Sequence, residues 1–129
     1  MWKFIRSRLD SFKPAFDGLG HVLHTQPNAS IHAFISLVVI AIGLWLKLDL
    51  GSWALIVLTM AMVWVAELAN TAIEAVVDVA SPDHHPLAKV AKDVSAAAVV
   101  IAALAAVIVG LLVLGPPLWE QIKVWFSPN

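Results

Sequence analysis

Three apolar runs, each long enough to cross a bilayer, dominate this chain and leave little room for a soluble fold. They extend over about residues 31–48, 52–80 and 94–114. A span needs roughly 20 apolar residues to cross about 30 Å of hydrocarbon. Hydrophobic residues make up 60% of the 129 positions and charged residues 13%, whereas soluble domains run near ~45–50% and ~25%. A globule of this length has too small an interior to bury that surface, and a disordered tail would not be so apolar. Backbone groups in hydrocarbon must be satisfied within the segment, so each run is expected to be a helix. The expected fold class is an all-α membrane protein forming one domain over 1–129. A formal net charge of -1 offers no electrostatic footprint for nucleic acid. The absence of cysteine excludes disulfides, thiolate zinc sites and thiol catalysis.

The flanks are amphipathic. Within 1–26, Phe4, Ile5, Phe12, Phe16, Leu19 and Leu23 recur at helical spacing, with Lys3, Arg6, Arg8 and Lys13 between them. This pattern predicts a helix lying on the membrane surface rather than a cleavable signal, kinked at Pro14. Pro27-Asn28 should break it before the first span. The tail, 116–129, carries Trp119 and Trp125 beside Glu120 and Lys123 and is expected to form a separate interfacial helix. Lys47-Leu48-Asp49-Leu50-Gly51 reads as a tight turn. Lysine and arginine concentrate before the first span and, as Lys89 and Lys92, in the second connection; only Lys47 and Lys123 lie on the other side. The positive-inside rule then puts the N-terminus and the second connection in the cytoplasm. Ala66, Ala69, Ala72, Ala75, Ala97, Ala102, Ala105, Ala106 and Gly110 either let helices pack closely or reflect the alanine common in membrane helices.

The second span contains the informative polar residues. Glu67, Asn70, Thr71, Glu74 and Asp78 share one narrow face at about 100° per residue. Charge in a span is expensive and usually functional. A stripe of acids cannot face lipid, so it should meet protein, a cation or a polar cleft. With a rise of about 1.5 Å per residue from Trp53, Glu67 sits roughly 20 Å into the membrane and Glu74 near its inner boundary.

The connection Ser81-Pro82-Asp83-His84-His85-Pro86-Leu87-Ala88-Lys89-Val90-Ala91-Lys92-Asp93 follows. Its serine, proline and aspartates suit an ordinary cap and turn. Its lysines and free amides at a helix start also suit phosphate. Acids able to hold magnesium beside cations able to hold phosphate suggest nucleotide chemistry, although no Walker, kinase-type or dinucleotide glycine loop occurs. No metal-ligand spacing supports His21, His24 or His32.

The run Glu67-Leu68-Ala69-Asn70-Thr71-Ala72-Ile73-Glu74-Ala75-Val76-Val77-Asp78 resembles the signature E-x-x-N-S/T-A-I-E-x-x-x-D of the small prokaryotic membrane lipid kinases, diacylglycerol kinase and undecaprenol kinase. His85-Pro86-Leu87-Ala88-Lys89 and Ala91-Lys92-Asp93 are similar to their cytoplasmic loop. The resemblance covers nearly the whole chain. It implies ATP- and Mg2+-dependent phosphorylation of a lipid alcohol in the bacterial inner membrane, by a homotrimer with active sites between subunits. By position it implies Glu67 as general base, Glu74 as magnesium ligand and Asn70 as the residue orienting the cluster. Asp83, His84, His85, Lys92 and Asp93 fall where the family binds ATP. Ala96 and Trp45, Leu46, Lys47 and Leu48 fall at lipid-contact positions. The Ser81–Lys89 loop looks more like the undecaprenol branch, with diacylglycerol the second candidate.

One departure from the family pattern concerns the metal. Gln26 stands where these kinases carry a second metal-binding glutamate. An amide oxygen can ligate magnesium, without the negative charge. Ser7 and Pro14 replace the arginine and tyrosine that some members use for ATP. Two other classes of function remain consistent with the stripe: a non-catalytic membrane subunit, and a cation-conducting assembly, which Val57, Met60 and Val63 disfavour because they continue no polar path outward.

Overall fold

The computed structural model describes the backbone of residues 2–83 and 85–126, and the side chains of Asp10 and of residues 12–83 and 85–126. Four helices follow one another: α1 (Trp2–Thr25), α2 (Pro27–Trp45), α3 (Leu50–Ala80) and α4 (Pro86–Phe126). The last three are each long and apolar enough to cross a membrane, as the three apolar runs imply.

α1 runs through Pro14 without interruption. It ends where Thr25 turns its hydroxyl back to the His21 carbonyl at 2.8 Å. Gln26 is extended and Pro27 begins α2, a position where its missing N–H and fixed φ cost nothing. Ser30 donates to the Leu23 carbonyl at 3.3 Å, and Val22 and Ala29 are buried beside this corner. The start of α2 is therefore held against the end of α1.

The turn between α2 and α3 is shorter than the sequence suggests. Leu48 N–H reaches the Gly43 carbonyl at 3.2 Å, and Lys47 takes a positive φ of 52° to let the chain reverse. Asp49 then caps α3, accepting from the amides of Gly51 and Ser52 at 2.8 and 3.1 Å and from the Ser52 hydroxyl at 2.7 Å. Leu50 and Gly51 thus belong to the helix. Bonding to Ser52 and the two amides holds the Asp49 carboxyl below its ordinary value of 3.8. Gly43 allows this close packing: a Cβ there would sit 2.9 Å from Trp53 Cη2 and 3.2 Å from Leu48 Cδ1, so those side chains would have to shift.

α3 and α4 form an antiparallel pair. Ile56, Val63, Val99, Ala102 and Leu114 fill their seam, together with Thr59, Glu67, Asn70, Thr71 and Ser95. Near the α3–α4 connection the seam is polar; toward the α2–α3 turn it is apolar. Of the small residues, Ala102 is buried in the seam, whereas Ala69, Ala72, Ala75 and Ala97 are exposed. Most large apolar side chains on α2, α3 and α4 face outward, as a hydrocarbon solvent requires.

α4 departs from the sequence reading at both ends. It starts at Pro86, two turns before residue 94, because His85 caps it: the His85 carbonyl accepts from Ala88 and Lys89. It also continues through Pro116 and Pro117 to Phe126, so 116–126 is part of α4 instead of a helix of its own. The Trp125 ring meets Trp45 edge-to-face at 6.2 Å. Pro116 and Pro117 lie inside α4, where each lacks an N–H for the helical ladder.

Candidate active site

Glu67 lies on the α3 face turned to α4 and is 1% exposed. Its Oε2 has no hydrogen-bond partner among the described residues. An unpaired carboxylate oxygen in such a place is costly, and native proteins keep such groups where a ligand or a reaction needs them. The Thr71 hydroxyl, which shares the stripe, is used locally: it donates to the Glu67 backbone carbonyl at 3.0 Å.

One turn nearer the α3–α4 connection is a connected polar cluster. The Asn70 side-chain amide donates to Glu74 Oε1 at 3.2 Å. The Gln26 side chain, 48 residues away in sequence, donates to Glu74 Oε2 at 3.3 Å. The Ser95 hydroxyl of α4 donates to Asn70 Oδ1 at 2.7 Å and also lies 2.9 Å from the Lys92 carbonyl. The α1–α2 corner, α3 and α4 therefore converge on one carboxylate. Asn70 is buried, while Gln26 and Glu74 are half-buried and open to solvent. Glu67 and Glu74 are two turns apart, about 10 Å along the axis.

Beyond Glu74 the stripe ends in Asp78, whose carboxylate pairs with Lys92 of α4. Here Val77, Asp78, Ser81, His85, Lys89 and Lys92 help to line a cleft of about 690 Å³. Lys89 pairs with Asp93 on the exposed side of α4, a surface ion pair of small net value. His85 is committed to capping: its Nδ1 accepts from the Leu87 amide at 3.2 Å, and its own amide donates to the Ser81 hydroxyl at 3.3 Å. That leaves Nε2 as the edge free for a ligand. Asp83 is exposed in the turn, and His84 lies outside the described residues.

In the other direction, α2, α3 and α4 enclose an apolar cavity of about 310 Å³, whose walls include His32, Ser36, Thr59, Val63, Ala106 and Gly110. Val63, which lines the cavity, is one turn from Glu67 along α3; the Glu67 side chain itself is not part of the lining. Ser36, in the cavity wall, accepts from the Trp64 indole N–H at 3.4 Å.

The structure thus gathers Gln26, Asn70 and Glu74 into one cluster, with Glu67 two turns outward and Lys92 and His85 at the neighbouring cleft. Trp45, Leu46, Lys47 and Leu48 lie at the far end of α2, about 20 Å from Glu67 by helical rise. Ala96 is exposed on α4 beside Ser95. Sequence reading overlooked Ser95, one small residue in a helix rich in them. The spacing Lys92, Ser95, Val99, Ala102 marks the α4 face turned to α3 and would have drawn attention to it.

Among the described residues no three histidine, aspartate or glutamate side chains converge as a preformed metal cage. With the Asn70 amide oxygen already accepting from Ser95, the cluster offers the Glu74 carboxylate and the Gln26 amide. It can hold a hard divalent cation that brings most of its remaining oxygen ligands with it.

The model of the family described as prokaryotic diacylglycerol kinase matches residues 13–114. A diacylglycerol kinase of Synechocystis sp. is 43% identical over 118 residues, covering 91% of this chain and 67% of the relative. An undecaprenol kinase of Bacillus subtilis is 39% identical over 108 residues, covering 84% and 88% respectively. A diacylglycerol kinase of Escherichia coli is 38% identical over 78 residues, 60% of this chain and 64% of the relative.

Proposed function

The chain belongs to the prokaryotic diacylglycerol kinase family and is a membrane-embedded lipid kinase, and from that premise we propose that it transfers the γ-phosphoryl group of ATP to the hydroxyl of undecaprenol. The observation that carries the reading is Glu67: a buried carboxylate with a free oxygen, one turn along α3 from Val63 in the wall of an apolar cavity and two turns from a polar cluster beside a lysine-lined cleft. Apolar acceptor, base and nucleotide are thereby offered adjoining places.

The residues divide the work. The acceptor's chain lies in the apolar cavity and along α2 toward Trp45, Leu46, Lys47 and Leu48, with Ala96 beside its head. Its hydroxyl meets Glu67, which takes the proton at Oε2 as the new oxygen–phosphorus bond forms and the bond to the ADP oxygen breaks. A base held within hydrogen-bond reach is worth ~10²–10⁴-fold. Lys92, released from Asp78, and the cleft formed by His85, Lys89 and the start of α4 hold the phosphates; Asp83 and His84 contribute from the connection, and Asp93 from α4. Such transfer depends on positioning and charge neutralisation.

The donor set fits a magnesium ion. Glu74 supplies one carboxylate, and Gln26 can present Oε1 after a half-turn of its amide. Magnesium is typically held by one or two carboxylates together with substrate phosphates and water. When bound, it neutralises phosphate charge. Asn70 keeps Glu74 in place by donating to its other oxygen.

We further propose that N-terminus and active site face the cytoplasm of a bacterial inner membrane, and that the chain works as a homotrimer with the site closed by a neighbouring copy. Lys13, Lys89 and Lys92 flanking the proposed inner face support the orientation, and the solvent access of Glu74 and Gln26 leaves room for a neighbour. The loop Ser81–Lys89 favours undecaprenol; the identity to the Synechocystis relative makes diacylglycerol the second reading. The test is phosphate transfer from γ-labelled ATP in mixed micelles holding both alcohols in equal amounts. Undecaprenyl phosphate as the main product supports the first reading; phosphatidic acid alone would replace it with the second.

A further inference from the structure

Ser95 lies on α4, opposite the Asn70 side chain and buried. Its hydroxyl has one proton and two acceptors in range, Asn70 Oδ1 at 2.7 Å and the Lys92 carbonyl at 2.9 Å. Asn70 faces an acceptor-only group on its other side, Glu74 Oε1 at 3.2 Å. A carboxylate can receive only from the Asn70 NH2, so Oδ1 must turn to α4, where it needs a donor. Alanine or valine at position 95 would leave that buried oxygen unpaired. The amide could then turn over and set Oδ1 against the Glu74 carboxylate.

We propose that Ser95 is a positioning residue for phosphoryl transfer, acting through Asn70: its hydroxyl locks the amide with the NH2 toward Glu74 and so fixes the carboxylate that receives the cation. The inference rests on reading Glu74 as the magnesium ligand. No other described side chain donates to Asn70 Oδ1, so the lock has no substitute. Ser95 touches neither nucleotide nor lipid in this account. It tunes the affinity of the cluster for a divalent cation, and it ties the cluster to the helix that carries Lys92.

The experiment measures Mn2+ binding to the detergent-solubilised full chain by electron paramagnetic resonance, without ATP or lipid, alongside thermal unfolding. Ser95→Ala should weaken Mn2+ binding about three- to tenfold, the scale of one buried hydrogen bond to a polar network. Ser95→Thr, which keeps the hydroxyl, should restore it, and Ser95→Ala should add nothing in an Asn70→Ala background. Glu74→Gln serves as reference. If it loses Mn2+ while Ser95→Ala binds like the wild type, the positioning role is overturned and the cation reading stands. If Glu74→Gln binds like the wild type, the cation reading falls and Ser95's role with it. A Ser95→Ala loss that accompanies a collapsed melting temperature and is not rescued by threonine would reduce Ser95 to a packing residue and overturn the proposal.

Discussion

Replacing Gln26 with glutamate isolates the electrostatics of the cluster. In the structure Gln26 Nε2 lies 3.3 Å from Glu74 Oε2. Gln26→Glu removes a donor and sets a second carboxylate at that separation. Two unit charges ~3.3 Å apart repel by about 5 kcal/mol at an effective dielectric of ~20 and by about 1 kcal/mol in bulk water. Both side chains are half-buried, and side-chain rotation relieves part of the strain, so a net penalty of roughly 1–2 kcal/mol without cation is expected. A divalent cation between the carboxylates reverses the sign, because the added charge now attracts it. At ~1.4 kcal/mol per tenfold, the variant should need about 5- to 30-fold less Mg2+ for half-maximal rate. It should also melt lower than wild type in EDTA and recover when Mg2+ is added. The assay is a Mg2+ titration of ATP-dependent lipid phosphorylation, paired with thermal unfolding with and without chelator. An unchanged titration together with unchanged melting in EDTA would refute a cation site at Gln26 and Glu74.

Two further outcomes follow from the helix ends. Gly43→Ala puts a methyl 2.9 Å from the Trp53 ring, and such overpacking costs about 1–3 kcal/mol; thermal unfolding should record the loss, with the Mg2+ dependence unchanged. Asp49→Ala removes the cap of α3 and should lower the melting temperature by a few degrees near neutral pH. The Asp49 carboxyl is held below 3.8 by Ser52 and the Gly51 amide, so its stabilisation is present above that value and lost as pH falls through the lower, folded-state value. The variant's disadvantage should therefore shrink in acid, below about pH 3.8, and a constant difference across the titration would contradict the capping role.

What the sequence made legible was whatever depends on one helix at a time. Apolar length marks the three spans, and a 3.6-residue period places Glu67, Asn70, Thr71, Glu74 and Asp78 on one face. Which side chain meets which across helices is not periodic. The Gln26–Glu74 contact joins positions 48 apart, and only the family resemblance suggested that they belong together. Ser95 carries no local mark beyond its place on the inward face of α4. Helix ends were misjudged wherever a side chain decides them. Asp49 and His85 start their helices by capping, and 116–126 continues α4 through Pro116-Pro117, with Trp125 meeting Trp45 edge-to-face. Thr71 shows the reverse: it sits on the functional face, yet its hydroxyl serves its own helix.

The central claim is that Glu67 removes the proton of the lipid hydroxyl, and its most direct measurement is label transfer from ATP to undecaprenol by purified Glu67→Gln. The account predicts a fall of about 10²–10⁴-fold in turnover, with Mn2+ binding retained. A melting temperature close to wild type is expected, since glutamine keeps the size and shape of the buried side chain. Turnover within a few-fold of wild type in that variant would contradict the claim.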